Sequence, residues 1–344
     1  MPLTEPNLRD TKRHVELRTG TPYANLNAAQ ILFAETLGKH WHIAPDNIIP
    51  FNGATGAIEA VRNHVLKISQ RKRPTVLTVS PGYWRARESF EGLGFEIINV
   101  RTERNAFSIS EPILTEKAKE TRPDLIYLSL PNNPTGAIFD PQAIISRVAE
   151  GMTVMIDLTL PCRDFDVGAL TGTLYESFKQ RNNLFLVGST SKSHETAEYR
   201  IGWAVCASAK DADDLRGENR SGISTIAIAE GIKRAASPPL VLEKIDRSFS
   251  FLEEGAKGGK FQIVKPERSV RSSYVLLELL EPVAQVRKIL EENGIQVMWG
   301  SDFGLTDKHI RLETIEYPNI QIFVEAINDA PAAVQKSTSE SDVQ

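Results

Sequence analysis

Short apolar runs that stop abruptly at polar turns punctuate this chain, and they restrict its fold more than any other feature. Leu125-Ile126-Tyr127 leads through Leu128-Ser129-Leu130 into Pro131-Asn132-Asn133-Pro134-Thr135-Gly136, and Val154-Met155-Ile156 stops at Asp157. Continuous apolar runs of this length, bounded by Pro, Gly and Asn, predict strands buried on both faces. Comparable runs, Ile48-Ile49-Pro50-Phe51 and Val76-Leu77-Thr78-Val79, alternate with helical patterns as far as about Glu243. The expectation is an α/β fold, a mostly parallel sheet with helices on both faces. Such sheets bind ligands outside the carboxyl ends of their strands, so the residues that end these runs are the first candidates for a site.

One loop carries the strongest chemical signal. Gly188-Ser189-Thr190-Ser191-Lys192 is followed by Tyr199-Arg200-Ile201-Gly202-Trp203, which sets a lysine before an arginine inside an apolar frame. The Lys192 amine can condense with an aldehyde as a Schiff base, while the Ser189 hydroxyl and the Arg200 guanidinium can grip a phosphate dianion. Together these are the needs of pyridoxal 5'-phosphate. Alone, Lys192 is as readily a solvated lysine. Asn133 at its strand end can donate an amide to a pyridine phenolate, or can merely form an Asn-Pro turn. Asp157 can pair with a protonated pyridine nitrogen, or cap a helix. In 48–60, Gly53-Ala54-Thr55-Gly56 reads as a glycine-rich turn opening a helix, whose amides and dipole favour an anion.

Taken in order, these parts resemble the class I/II aminotransferases of pyridoxal phosphate fold type I, with the histidinol-phosphate aminotransferases the nearest well-known pattern. The resemblance spans most of the chain and implies a large seven-stranded-type α/β/α domain with a smaller α+β C-terminal domain. It implies Asn133 on the ring oxygen, Asp157 on the ring nitrogen and Lys192 as Schiff-base lysine and catalytic base. Ser189 and Arg200 would hold the phosphate, joined by Ala54 and Thr55. Tyr83, in Ser80-Pro81-Gly82-Tyr83-Trp84, would stack on the ring, with Trp84 the second choice. Arg311, in His309-Ile310-Arg311-Leu312, would receive the substrate α-carboxylate beside Asn133. Tyr23 would reach the phosphate of a neighbouring subunit, which implies a homodimer with a shared site.

Two departures bear on the reaction. Leu160 stands where the family usually has a tyrosine that donates to the ring oxygen, and Ser193-His194-Glu195-Thr196-Ala197-Glu198 replaces a small, glycine-containing stretch. His194 and Glu195 read as surface substitutions or as lining of the substrate entrance. The missing tyrosine also resembles the pyridoxal phosphate arginine oxidases and hydroxylases, and 202–205 with 311–312 resemble the alliinase and tryptophan aminotransferase group. The expected activity is an aminotransferase of amino acid metabolism, acting on an α-amino acid or related amine and a 2-oxo acid. The alternative is an oxidase, hydroxylase, cyclase or lyase of the same fold making a specialised metabolite. A non-catalytic cofactor-binding protein is a third reading, opposed by the lack of a helix-turn-helix segment.

Composition agrees. The chain of 344 residues is 41% apolar with a net charge of −4, enough to bury a large core and without a basic face for nucleic acid. No apolar run approaches a membrane span or a signal peptide core. Cys162 and Cys206 are too few for a disulfide framework and suit a reducing cytoplasm. The histidines show no metal-ligand spacing, so no metal is expected. The anticipated organisation is an arm over 1–28, a large domain over 29–243, a small domain over 244–332 and a polar, disordered tail over 333–344.

Overall fold

The computed structural model describes residues 22–149, 151–218, 223–235 and 237–329, with side chains from residue 28 onward. The tail expected over 333–344 and most of the arm lie outside these residues. Strands β1 (Ile48–Asn52), β2 (Thr75–Ser80), β3 (Glu96–Arg101), β4 (Leu125–Ser129), β5 (Thr153–Asp157), β6 (Leu184–Ser189) and β7 (Ile201–Cys206) form one sheet. Their order is β1-β7-β6-β5-β4-β2-β3. Strands β2 to β6 run parallel, and only β7 opposes its neighbours, so β1 points the same way as β6. Every residue of β2, β4, β5, β6 and β7 is buried, whereas the edge strand β3 is partly exposed. That burial on both faces is why these strands read as continuous apolar runs.

Helices cover the sheet on both sides, and the period of two along each strand divides the core between them. Ile126, Leu128 and Ile156 pack under α1 (Pro22–Trp41), with Phe33, Leu37 and Trp41. Leu125, Tyr127 and Met155 face the opposite way, towards α2 (Gly53–Ile68) and α3 (Trp84–Glu91). The first side also receives α4 (Glu111–Thr121), α5 (Pro141–Arg147), α6 (Val167–Ser177) and, later in the chain, α8 (Thr225–Arg234). The second receives α7 (Ala209–Glu218). Helix α2 shows the reason in its sequence: Ala57, Ile58, Val61 and Val65 recur at three and four residues and are buried. Asp166 caps α6 by accepting from the Ala169 amide at 2.7 Å.

A second sheet follows, antiparallel in order β10-β11-β9-β8, from β8 (Phe261–Ile263), β9 (Tyr274–Leu279), β10 (Met298–Trp299) and β11 (His309–Glu313). Helices α9 (Leu242–Ala256), α10 (Val283–Glu292) and α11 (Tyr317–Asp329) pack against it over a separate core that includes Phe261, Leu277, Ile310, Leu312 and Phe323. The sheets meet where the Val270 amide donates to the Gly136 carbonyl at 2.9 Å. Gly136 has φ +70°, and a Cβ there would lie 2.6 Å from the Val270 carbonyl oxygen, so only glycine fits this seam. No described helix is long and apolar enough to cross a membrane. Cys162 and Cys206 are free and buried.

Candidate active site

Parallel strands bring four polar residues to one edge: Ser80, Ser129, Asp157 and Ser189 end β2, β4, β5 and β6. Because β7 runs backwards, Arg200, just before it, arrives at the same edge, and β1 delivers Gly53 there. The register makes this concrete, with Ser189 opposite Gly202 and Asn52 opposite Ile201. The Gly53 amide donates to the Arg200 carbonyl at 3.0 Å, and the Thr190 amide to Ile201 at 3.2 Å. A Cβ on Gly202 would lie 2.6 Å from the Ala54 amide nitrogen, and one on Gly53 2.6 Å from the Arg200 guanidinium. The α2 N-terminus has no side-chain cap. Its amides, the Ser189 hydroxyl and the Arg200 guanidinium therefore form a close-walled cradle of the chemistry that receives a phosphate.

Asp157 is buried at the end of β5. Its Oδ2 accepts from the Tyr127 hydroxyl at 3.0 Å, and its Oδ1 accepts from the Thr159 amide at 3.0 Å. Burial pushes its carboxyl above the usual carboxylate range, only partly offset by the Thr159 and Tyr127 bonds. Among the described residues no cation pairs with it, so it is a buried acid suited to a positively charged partner. Beside it the Thr159 hydroxyl is buried without a hydrogen-bond partner. Tyr83 closes the same space: burial, followed by the Asp157 charge, raises its phenol.

Across the seam, Arg311 and Glu313 project to one face of β11, while Ile310 and Leu312 enter the small core. Arg311 Nη1 donates to Asn133 Oδ1 at 3.3 Å, which leaves the Asn133 amide to donate elsewhere. Lys192 Nζ forms an ion pair with Glu313 and lies 5.2 Å from the centre of the Tyr274 ring, whose face Arg311 also covers at 4.2 Å. Burial lowers the Lys192 pKa, but Tyr274 and Glu313 more than compensate, and the net shift is upward. Burial pulls the Arg311 guanidinium down.

Lys192, Asn133, Asp157, Tyr83, Ser189, Arg200 and the start of α2 with Ala54 and Thr55 thus share one strand-end crevice, with Arg311 facing it from the small sheet. Tyr23 lies in α1, but its side chain is outside the described residues. Trp84 begins α3 and carries Arg85 against its ring. His194 departs from the expectation of a surface substitution: it is buried, bonded to Ser193 Oγ at 2.7 Å and to Ser237 Oγ at 3.0 Å. Both ring nitrogens are occupied, so it braces the lysine loop. Glu195 is exposed and pairs with Lys244 at 2.5 Å. Beside the crevice opens a cleft of about 750 Å³, lined among others by Thr159, Ser189 and His194.

Sequence reasoning missed Tyr127, Tyr274 and Glu313. Each sits in a strand whose pattern reports burial or alternation and nothing of what lies opposite. It also missed that folding brings His64, Asp211 and Asp214 together, one ligand atom each within 4.8 Å. There Asp211 accepts from the Asn183 amide at 2.6 Å and Asp214 from Lys210 at 2.7 Å.

The model of the family described as aminotransferase class I and II matches residues 11–327. A histidinol-phosphate aminotransferase of Symbiobacterium thermophilum is 24% identical over 307 residues, covering 86% of this chain and 79% of the relative. An L-serine phosphate decarboxylase of Sulfurospirillum multivorans is 28% identical over 188 residues, covering 53% of this chain and 45% of the relative. Among solved structures, the histidinol-phosphate aminotransferase of Sinorhizobium meliloti in complex with pyridoxal 5'-phosphate superposes with a TM-score of 0.70 at 19% identity. That match covers 88% of this chain and 81% of the other.

Proposed function

The chain belongs to the class I and II aminotransferase family, whose cofactor is pyridoxal 5'-phosphate, and we propose that it is an aminotransferase moving the amino group of an α-amino acid, or a related amine, to a 2-oxo acid. The observation that supports this best is the meeting of Lys192, Asn133 and Arg311 at one seam. When bound, the cofactor supplies an electron-withdrawing ring that accepts charge from the substrate α-carbon.

The remaining work falls to the chain. Ser189, Arg200 and the α2 amides at Ala54 and Thr55 hold the phosphate, and Asp157 keeps the pyridine nitrogen protonated. Tyr83 packs on the ring and Asn133 donates to its oxygen. Arg311 receives the substrate carboxylate in two parallel hydrogen bonds, which fixes orientation as a lysine could not. Lys192 Nζ would hold the cofactor at its aldehyde carbon and, once freed, would act as the base that moves the substrate's α-carbon proton to that cofactor carbon. Tyr23 reaching a neighbouring phosphate would make the enzyme a homodimer, and two buried free thiols suit a cytoplasmic location.

Leu160 and the decarboxylase relative favour an alternative: an oxidase, hydroxylase, cyclase or lyase on the same scaffold. One experiment separates these. Borohydride reduction with peptide mapping should place a pyridoxyl group on Lys192. Turnover of an amino acid panel, assayed for oxo acid, ammonia, peroxide and carbon dioxide, should then yield oxo acid without the other three. A label on another lysine would overturn the site, and carbon dioxide or peroxide would overturn the reaction.

A further inference from the structure

We infer that Glu313 and Tyr274 form a subsite for a cationic group at the far end of the substrate, so that the enzyme takes amino or oxo acids bearing an ammonium or guanidinium side chain. This rests on the proposed roles of Lys192 and Arg311.

The two residues lie opposite one another in the β9–β11 ladder, Glu313 against Tyr274, one step beyond Arg311. Glu313 is half-buried, with 38% of its side chain exposed, and among the described residues the only ion pair or hydrogen bond of its carboxylate is to the Lys192 ammonium. That ammonium sits 5.2 Å from the Tyr274 ring centre. The free lysine thus occupies the place of an alkylammonium ligand, with a carboxylate on one side and an aromatic face on the other. Once Lys192 is committed to the cofactor it no longer offers a free ammonium, and Glu313 loses its partner. Arg311 cannot serve both Glu313 and a substrate carboxylate with the same two-pronged face. The Glu313 carboxylate is then without an ammonium partner, and a substrate that brings its own cation supplies one. A substrate ending in a phosphate or carboxylate would meet Glu313 as a like charge.

Binding to the cofactor-loaded protein tests this with ligands that cannot react, because they lack an α-amine and a guanidinium does not condense with an aldehyde. Calorimetry would compare 4-guanidinobutanoate with hexanoate, a neutral chain of similar length, and adipate, an anionic one. The guanidino acid should bind at least about tenfold tighter than either, as one charge-assisted contact supplies. Glu313→Gln should abolish that preference and leave hexanoate unchanged, Glu313→Asp should keep part of it, and Tyr274→Leu should reduce it. Equal affinities for the three ligands, or a preference that survives Glu313→Gln, would overturn the subsite. Borohydride labelling of the same preparations separates the two levels. Label on Lys192 without a preference removes the subsite alone, and label elsewhere removes the site assignment with it.

Discussion

Arg311 on the small sheet donates to Asn133 Oδ1 on the large one, 3.3 Å away, so the group proposed for the substrate carboxylate touches the group proposed for the cofactor ring oxygen. Each orients the other. The Asn133 oxygen is occupied while its amide remains a donor, and the Arg311 guanidinium carbon lies over the Tyr274 ring, 4.2 Å from its centre.

Arg311→Ala should therefore weaken amino acid binding by at least about tenfold, since a charge-assisted hydrogen bond contributes about 1.5–3 kcal/mol. Cofactor content should stay the same. Arg311→Lys keeps the charge but loses the planar fork, and should recover only part of the affinity. Equilibrium binding alongside absorbance of the bound cofactor measures both; unchanged affinity in the alanine variant would assign the carboxylate to another residue.

Asp157 links stability to pH in the cofactor-free protein. Burial raises its folded pKa, so the unfolded chain ionises first, and stability falls as pH climbs from the ordinary carboxylate range to the folded value. Asp157→Asn should remove this slope and raise the melting temperature of the cofactor-free protein at neutral pH. The same change should reduce cofactor retention, because the ring nitrogen loses its acid. A neutral-pH melting temperature that falls in the variant would contradict the buried, unpaired state of Asp157.

Gly202→Ala tests the phosphate cradle. Its Cβ would lie 2.3 Å from the Gly53 carbonyl carbon, a clash that only backbone movement relieves. Overpacking of this kind costs about 1–3 kcal/mol, and the displaced α2 amides should loosen the cofactor by at least about tenfold. Thermal unfolding and cofactor titration would measure the two effects. Retained cofactor affinity with lowered stability would place the phosphate elsewhere.

Leu160→Tyr should restore a second donor to the ring oxygen, a bond of about 1 kcal/mol. That bond favours loss of the proton from the Lys192 nitrogen once the cofactor is attached. The yellow protonated form should persist to higher pH in the natural chain than in the variant. Identical midpoints in a spectroscopic titration would show that Leu160 leaves the cofactor's electronics alone.

Much of the parallel sheet and one wall of the site were legible in the sequence. A strand buried on both faces must be apolar throughout, and the polar residue that ends it must stand at the crevice; this marks Ser189, Asp157 and, through its turn, Asn133. Lys192 and Arg200 could be paired because a single connection joins β6 to β7. Glu313 and Tyr274 could not be recognised this way. Glu313 reads as an exposed alternating position of β11; the antiparallel register sets it opposite Tyr274, and the docking of the two sheets brings it to Lys192, in the turn after β6. The burial of His194 was not legible either, since of the two serines that satisfy its ring Ser193 is adjacent but Ser237 lies 43 residues further along the chain. Local pattern determines which face of an element is buried, because the period of a strand or helix is a property of the backbone. Which charges meet across two sheets depends on how separately cored layers dock, and that is decided by packing between residues far apart in the chain.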